Sequence, residues 1–367
     1  MSPKKQRKTK GRVLVAMSGG VDSSVAAALL KKGRFLPAGR QVDVIGVFMK
    51  FWLPKTGRGY SAESEIRARK VAKILNIPFY IFNFSKEFKK IVVNDFLRKN
   101  RRGLTPNPCV LCNKEIKFGL LLQRSLKLDA DFVATGHYVR RAGKKLFKAK
   151  DENKDQSYFL WRLNQKKIGR VLFPIGDYTR PEVEKMAKKF KFPFAGVKKS
   201  QEICFVETNV GDFLKRYLKQ KPGNIINARG DILGRHGGLC LYTIGQRKGI
   251  NLAGGPAFAK ATAGKPYYVL DKDLNKNTLI VTRNEKDLGK KELMARGVNW
   301  ISDNKPKFPL AVKVKIRYRS KSVPAIVKPA NKGKIRVIFK RNQRAVTPGQ
   351  SAVFYKGREL LGGGIIC

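Results

Sequence analysis

Acidic residues are scarce in this chain: 26 Asp and Glu stand against 79 Lys and Arg, a formal net charge of +53 over 367 residues. That imbalance points first to a polyanion as partner, because neutralising phosphates releases counterions and supplies affinity independent of sequence. A lysine-biased proteome would raise the charge as well. No apolar run is long enough to span a bilayer, and Met1 to Lys10 lacks the apolar core of a signal peptide. The expectation is a cytoplasmic protein with no membrane attachment and a basic tail over residues 1–10. Cysteine is sparse, 5 in all. An odd number in a large chain without export signals argues against a disulfide framework and leaves metal binding or thiol chemistry. Gly-Lys-Ser/Thr occurs nowhere, which excludes a P-loop, and neither an internal repeat nor a low-complexity block beyond the tail is present.

What is present is organised around Arg12-Val-Leu-Val-Ala-Met-Ser-Gly-Gly-Val-Asp-Ser-Ser24. Val13, Leu14 and Val15 read as a strand buried on both faces, and from Asp22 the residues Val25, Ala26, Ala28 and Leu29 read as an amphipathic helix. Between them, Ser18-Gly19-Gly20 lets main-chain N–H groups approach phosphate oxygens, with the helix N-terminus adding partial positive charge. Ser18, Ser23 and Ser24 add hydroxyl donors. The bland alternative is a glycine-bearing turn without a ligand. Ser-Gly-Gly-Val-Asp-Ser lacks the Gly-x-Gly-x-x-Gly spacing of dinucleotide folds. It resembles the loop of ATP pyrophosphatases, which cleave between the α and β phosphates, and this implies adenylation rather than kinase chemistry.

Further along, strands are predicted at 42–49, 79–84 and 131–135, and helices where Ser61 caps Ala68, Val71, Ala72 and Leu75, and where Ser85 precedes Phe88, Ile91, Val92 and Phe96. Residues 34–41 read as a surface insertion. The alternation predicts an α/β fold, a Rossmann-like doubly wound parallel sheet whose ligands sit beyond the carboxyl ends of the strands. Met49 and His137 should emerge at that edge with the phosphate loop. From about Phe205 helical periodicity fades, and Ala311 to Arg319 alternates apolar and cationic residues. Two small β-barrels are expected to follow, dividing the chain into a tail (1–10), an ATP-binding domain (11–209), a central β domain (210–279) and a C-terminal barrel (280–367).

Thr105-Pro-Asn-Pro-Cys109-Val-Leu-Cys112-Asn113 is a proline-stiffened loop entering a helix. Cys112 is expected near the helix N-terminus, where the dipole lowers a thiol pKa. Cys-x-x-Cys also reads as half a zinc site or a redox pair, but the other ligand types, Cys204, Cys240, Cys367, His137 and His236, are scattered. Ser200-Gln-Glu-Ile-Cys204-Phe205 offers a further thiol beside a polar run; Cys240 and Cys367 read as incidental.

These motifs, with Phe48-Met-Lys50, Gly136-His-Tyr138, Lys154-Asp-Gln-Ser-Tyr-Phe159, Tyr242-Thr-Ile-Gly-Gln-Arg-Lys248, Ile316-Arg-Tyr-Arg319, Ala345-Val-Thr-Pro-Gly-Gln350 and Leu361-Gly-Gly-Gly364, resemble the bacterial tRNA-specific 2-thiouridylase family over nearly the whole length. The resemblance implies an adenine nucleotide alpha hydrolase-like domain with two β domains. It also implies ATP-dependent replacement of the 2-oxygen of a wobble uridine by sulfur, with Mg²⁺ accompanying ATP. It assigns ATP contacts to Ala16, Met17, Ser18, Gly19, Gly20, Val21, Asp22, Ser23, Met49 and Gly136. Cys204 would carry a persulfide and Cys112 would be the nucleophile, with a transient disulfide between them. tRNA contacts fall on Asn107, Pro108, Cys109, His137, Lys154, Asp155, Gln156, Arg317, Tyr318 and Gln350. Implied partners are the tRNA anticodon loop and a sulfur-relay protein or cysteine desulfurase, with the chain acting as a monomer. One departure stands out: Cys109 replaces an aspartate that many family members place after Asn-Pro, and it competes with Cys112 as resolving thiol. Two other readings compete, an amidating synthetase, which would need an ammonia-supplying domain, and a tRNA-binding protein with a degenerate loop.

Overall fold

Val13, Leu14 and Val15 have no exposed surface, which a strand achieves only with a parallel neighbour on each side and helices on both faces. The computed structural model describes residues 11–33, 42–54, 60–194, 203–250, 252 and 266–367. The tail, the 34–41 insertion and the polar run Ser200-Gln201-Glu202 lie outside those residues.

β1 (Gly11–Ala16) pairs in parallel with β2 (Val42–Lys50) on one side. β3 (Phe79–Asn83) extends the sheet beyond β2, and β4 (Phe132–Thr135) pairs with the other side of β1. After the hairpin β5 (Val139–Ala142) and β6 (Lys145–Lys148), β7 (Val171–Leu172) closes the order β3-β2-β1-β4-β7. The sheet therefore reverses direction of growth at β1, and the crevice between the carboxyl ends of β1 and β4 is its natural ligand site. One face packs on α1 (Val21–Lys31), α2 (Tyr60–Ile74) and the helix Arg180–Lys189. The other packs on Phe88, Val92 and Phe96, on Ile116 and Leu121, and on Phe213 and Leu214. α2 begins one residue ahead of the expected cap Ser61.

The central β domain contains β8 (Gly223–Ile226), β9 (Ile232–His236), β10 (Tyr268–Asp273) and β11 (Thr278–Thr282) in the order β10-β11-β8-β9. Six more strands follow: β12 (Gly289–Trp300), β13 (Leu310–Lys315), β14 (Val323–Pro329), β15 (Ile335–Arg344), β16 (Ser351–Lys356) and β17 (Glu359–Ile366). They run β12-β15-β14-β13-β16-β17, and β17 pairs back onto β12, which closes an antiparallel barrel and removes its edges. The alternation expected at 311–319 is present over 311–317, with Val312, Val314 and Ile316 buried, Ala311 and Lys313 exposed, and Lys315 and Arg317 half-buried.

The hairpin β5–β6, which belongs by chain order to the first domain, pairs with β17 and extends the barrel's sheet. Around it, fully buried Tyr158 and Trp161 pack with Phe118, Val353, Tyr355 and Leu360. The Tyr158 hydroxyl donates to the Ser351 carbonyl and the Trp161 indole to the Ser351 hydroxyl, both at 3.0 Å. Side chains of this size contribute on the order of 3 kcal/mol each when buried, so the barrel is fixed to the nucleotide domain.

Candidate active site

At the end of β1 the chain turns through Ser18-Gly19-Gly20 into α1. Gly19 has φ +74, and a Cβ there would lie 2.1 Å from the Ser64 carbonyl oxygen; only glycine fits. Ser23 Oγ donates to the Gly20 carbonyl at 3.1 Å and accepts from the Ser18 N–H at 3.1 Å, so the loop is drawn into a ring before any ligand arrives. Arg67 on α2 donates to the Gly19 carbonyl at 3.1 Å and to Ser64 Oγ at 2.9 Å. Neither Ser64 nor Arg67 carries a motif; their place on α2 opposite the loop was visible only in the tertiary structure. Gly136 follows β4 and abuts the first turn of α1, where a Cβ would lie 2.6 Å from the Ser23 nitrogen.

These elements open on a cavity of about 360 Å³ lined by Ala16, Met17, Ser18, Asp22, Ser23, Met49 and Gly136 at one end. Pro108, Cys109, Cys112, Lys117, His137, Gln156 and Cys204 line it elsewhere. The Asp22 carboxylate accepts from the Tyr138 hydroxyl at 3.0 Å and from Arg180 at 2.6 Å. Burial raises its pKa, while Arg180, Tyr138 and Lys154 pull it down.

At the thiol end, Pro108 opens the helical segment Pro108–Cys112, which runs without interruption into a π-helical stretch, Asn113–Leu120. Cys112 therefore lies beyond the first turn and is buried. The expected dipole effect is overturned: desolvation pushes the Cys112 thiol up to about 12, Cys109 adds to the rise, and Lys117 opposes it. Burial also raises Cys109 and Cys204. Cys204 is exposed as a residue although its thiol is desolvated, and all five cysteines are free. Cys109 acts on Cys112, and both act on Cys204, so the three cavity thiols form one cluster. Among the described residues no three His, Cys, Asp or Glu side chains are grouped to hold a metal ion.

His137 emerges at the sheet edge as expected, but as a buried side chain. Its Nδ1 shares a 2.7 Å hydrogen bond with Thr135 Oγ1, and its ring packs between Phe118 and Phe173. Desolvation, with Lys117 nearby, holds its pKa well below the ordinary value, so the ring is neutral.

The remaining residues expected at tRNA divide. Lys154 is exposed, whereas Asp155 is buried and its carboxylate accepts from the Ala149 and Ser157 N–H groups and the Ser157 hydroxyl. Asp155 is thereby committed to folding the 149–157 loop. Gln156 accepts from the Tyr138 N–H at 3.0 Å. Asn107 bonds the Tyr158 hydroxyl, and the Tyr318 ring lies 4.5 Å from that of Phe159. Arg317 grips the Ala345 carbonyl at 2.6 Å and the Thr347 hydroxyl at 3.1 Å. Gln350 donates to the Thr105 carbonyl at 2.8 Å, the Thr105 N–H donates to the Pro348 carbonyl at 3.0 Å, and the Thr105 and Thr243 hydroxyls are 3.3 Å apart. Both β domains thus clamp the loop that leads into Cys109 and Cys112.

Fold and cavity together define a class, a nucleotide-binding PP-loop domain joined to two β domains and carrying a thiol cluster beside its phosphate loop. Residues 11–208 match the family described as tRNA methyl transferase HUP domain, 211–283 its PRC-barrel domain, and 290–366 the aminomethyltransferase beta-barrel domain. A tRNA-specific 2-thiouridylase of Halothermothrix orenii is 44% identical, across 97% of this chain and 98% of that protein. One from Thermoanaerobacter sp. (strain X514) is 42% identical across 97% of each. The chain belongs to the tRNA-specific 2-thiouridylase family. The U34-tRNA thiolase NcsA from Methanococcus maripaludis is a distant structural likeness, with 20% identity, coverage of 57% of this chain and 67% of that one, and a TM-score of 0.36, on which nothing rests.

Proposed function

We propose that this enzyme replaces the 2-oxygen of a tRNA wobble uridine by sulfur, using ATP and a cysteine persulfide. The observation that carries the reading is the convergence of Ser18-Gly19-Gly20 with Cys109, Cys112 and Cys204 on one cavity. A uracil 2-carbonyl has no leaving group; attack of its oxygen on the α-phosphate of ATP releases pyrophosphate and leaves an O-adenylyl uridine. The loop N–H groups and the N-terminus of α1 would hold the phosphates. Mg²⁺, entering with the nucleotide, would offset phosphate charge; Asp22 is the cavity carboxylate available to it, and its Oδ2 takes no hydrogen bond among the described residues.

In the sulfur step, Cys204 carries a persulfide from a donor protein. The Cys112 thiolate attacks the Cys204 Sγ, forming the Cys112–Cys204 disulfide and expelling hydrosulfide. Hydrosulfide adds to C2 of the activated uridine, AMP departs with the oxygen, and loss of a proton leaves the thiocarbonyl. An external dithiol then reduces the disulfide. A splayed anticodon base is the form in which the uridine reaches the cavity. The buried, neutral His137 and the engaged Gln350 would shape the tRNA-facing rim, while exposed Lys154 would meet phosphate.

The test is thiouridine formation on unmodified tRNA with ATP, cysteine and a cysteine desulfurase. Cys112→Ser and Cys204→Ser are expected to abolish product while pyrophosphate release persists, and Cys109→Ser to retain product. Product from a chain lacking Cys112 and Cys204 would sink the thiol mechanism. If the wild type releases no pyrophosphate, adenylation is wrong.

A further inference from the structure

Lys117 is the one Lys or Arg, among the described residues, that lines the cavity of a chain holding 79 of them. It has no acidic partner and donates no hydrogen bond among the described residues. Of the other cations near the cavity, Arg180 is bonded to Asp22 and Glu184, and exposed Lys154 does not line it. Lys117 faces the thiol end instead, where its charge opposes the burial-driven rise at Cys109, Cys112 and Cys204. The titratable groups lining the cavity among the described residues are Asp22, Cys109, Cys112, Lys117, His137 and Cys204. His137 is kept neutral, so it supplies no positive charge.

The backbone accounts for this placement. In an α-helix, position i+5 lies well around the axis from i. The stretch Asn113–Leu120 is instead π-helical, with a wider turn and a kink at Phe118, and Cys112 and Lys117 line the same cavity. π segments are rare and frequently lie at functional sites; a second one here, Lys89–Val93, also supplies a cavity residue, Val92.

We propose that Lys117 is a further catalytic residue: its ammonium is the counter-ion of the Cys112 thiolate in the sulfur-transfer cavity. Cys112 loses its proton to solvent, and the charge left on sulfur is held against the ammonium until attack on Cys204. Without the cation the buried thiol would ionise still less, and a protonated thiol is a poor nucleophile. The proposal rests on the reading of Cys112 as the nucleophile.

The experiment separates the two. Iodoacetamide labelling of Cys112 is followed against pH by peptide mass spectrometry in the full chain, with exposed Cys367 as internal reference. Wild type, Lys117→Met and Lys117→Arg are compared, with thermal melting to show that each folds. This readout needs no tRNA, ATP or turnover, so it stands whether or not thiouridine is made. Lys117→Met should shift the labelling profile upward by about one pH unit, slowing Cys112 roughly ten-fold at a fixed pH while Cys367 is unchanged. Lys117→Arg should restore most of the rate. In turnover, kcat for thiouridine should fall about ten-fold or more with KM for ATP within two-fold. An unchanged Cys112 profile in a folded Lys117→Met chain would overturn the proposal. So would a loss confined to KM for ATP, which would make Lys117 a phosphate ligand.

Discussion

Gly136→Ala adds one methyl group where the structure has no room for it. The new Cβ would lie 2.6 Å from the Asp22 carbonyl carbon and the Ser23 nitrogen and 2.8 Å from Ser23 Cα, against 3.4 Å for ordinary contact. All three atoms are backbone of the first turn of α1, so no rotamer change relieves the clash. α1 has little room to retreat, because Val25, Ala26, Ala27 and Ala28 behind that turn have no exposed surface. Overpacking of this kind costs about 1–3 kcal/mol. In a domain of this size that is a fall in Tm of roughly 2–12 °C. A shift of the loop by a few tenths of an ångström also misplaces its N–H groups, and a misplacement approaching 1 Å costs about 100-fold in rate. The assay is thermal melting beside tRNA-dependent pyrophosphate release across ATP concentrations. Gly20→Ala is the matched control: its φ is −103 and the nearest atom to a Cβ is Ser18 Oγ at 3.6 Å, so its Tm should hold within a degree or so. Any loss there should fall on KM for ATP. If Gly136→Ala melts and turns over like wild type, the packing argument is wrong.

Three further outcomes are expected. Arg180→Met removes the cation bonded to Asp22 at 2.6 Å and so lets burial raise that pKa further. The acid limb of the pyrophosphate-release profile should move to higher pH, and an unmoved limb would refute the pairing. His137 has a depressed pKa, so below the unfolded value the unfolded chain binds a proton that the folded one refuses. Its contribution is present above about pH 6.5 and is lost as pH falls, at up to about 1.4 kcal/mol per unit. His137→Gln should flatten the pH dependence of the urea midpoint in that window. Gln350→Ala removes the bond to the Thr105 carbonyl and should cost about 1 kcal/mol in urea unfolding, with a lower kcat, because the loop entering Cys112 loses one of its clamps.

Much of the cavity's nucleotide end could be read from the chain order. The unbroken run Val13-Leu14-Val15, the following glycines and the apolar spacing of α1 are local patterns, and burial of both strand faces followed from them. The alternation around Val312 and Val314 likewise announced a barrel strand. Asp155 shows where motif logic stops: its neighbours Lys154 and Gln156 remain accessible to the surface or the cavity, yet its own carboxylate turns inward to close the loop. The β5–β6 hairpin shows the same limit, since nothing in Val139–Lys148 signals a pairing with β17 more than 200 residues later.

Chain order by itself determined the strand–loop–helix phosphate site, the alternating α/β domain, the β texture that follows it and the identity of the thiols, because periodicity and turn chemistry act between near neighbours. Only the tertiary structure decided that Cys204 joins Cys109 and Cys112 in one cavity, that Arg67 and Arg180 brace the loop and Asp22, and that Lys117 faces the thiols. It also reversed the sign of the effect on Cys112, since the dipole of a helix end acts locally and weakly, whereas removal from water depends on everything the folded chain packs around the sulfur.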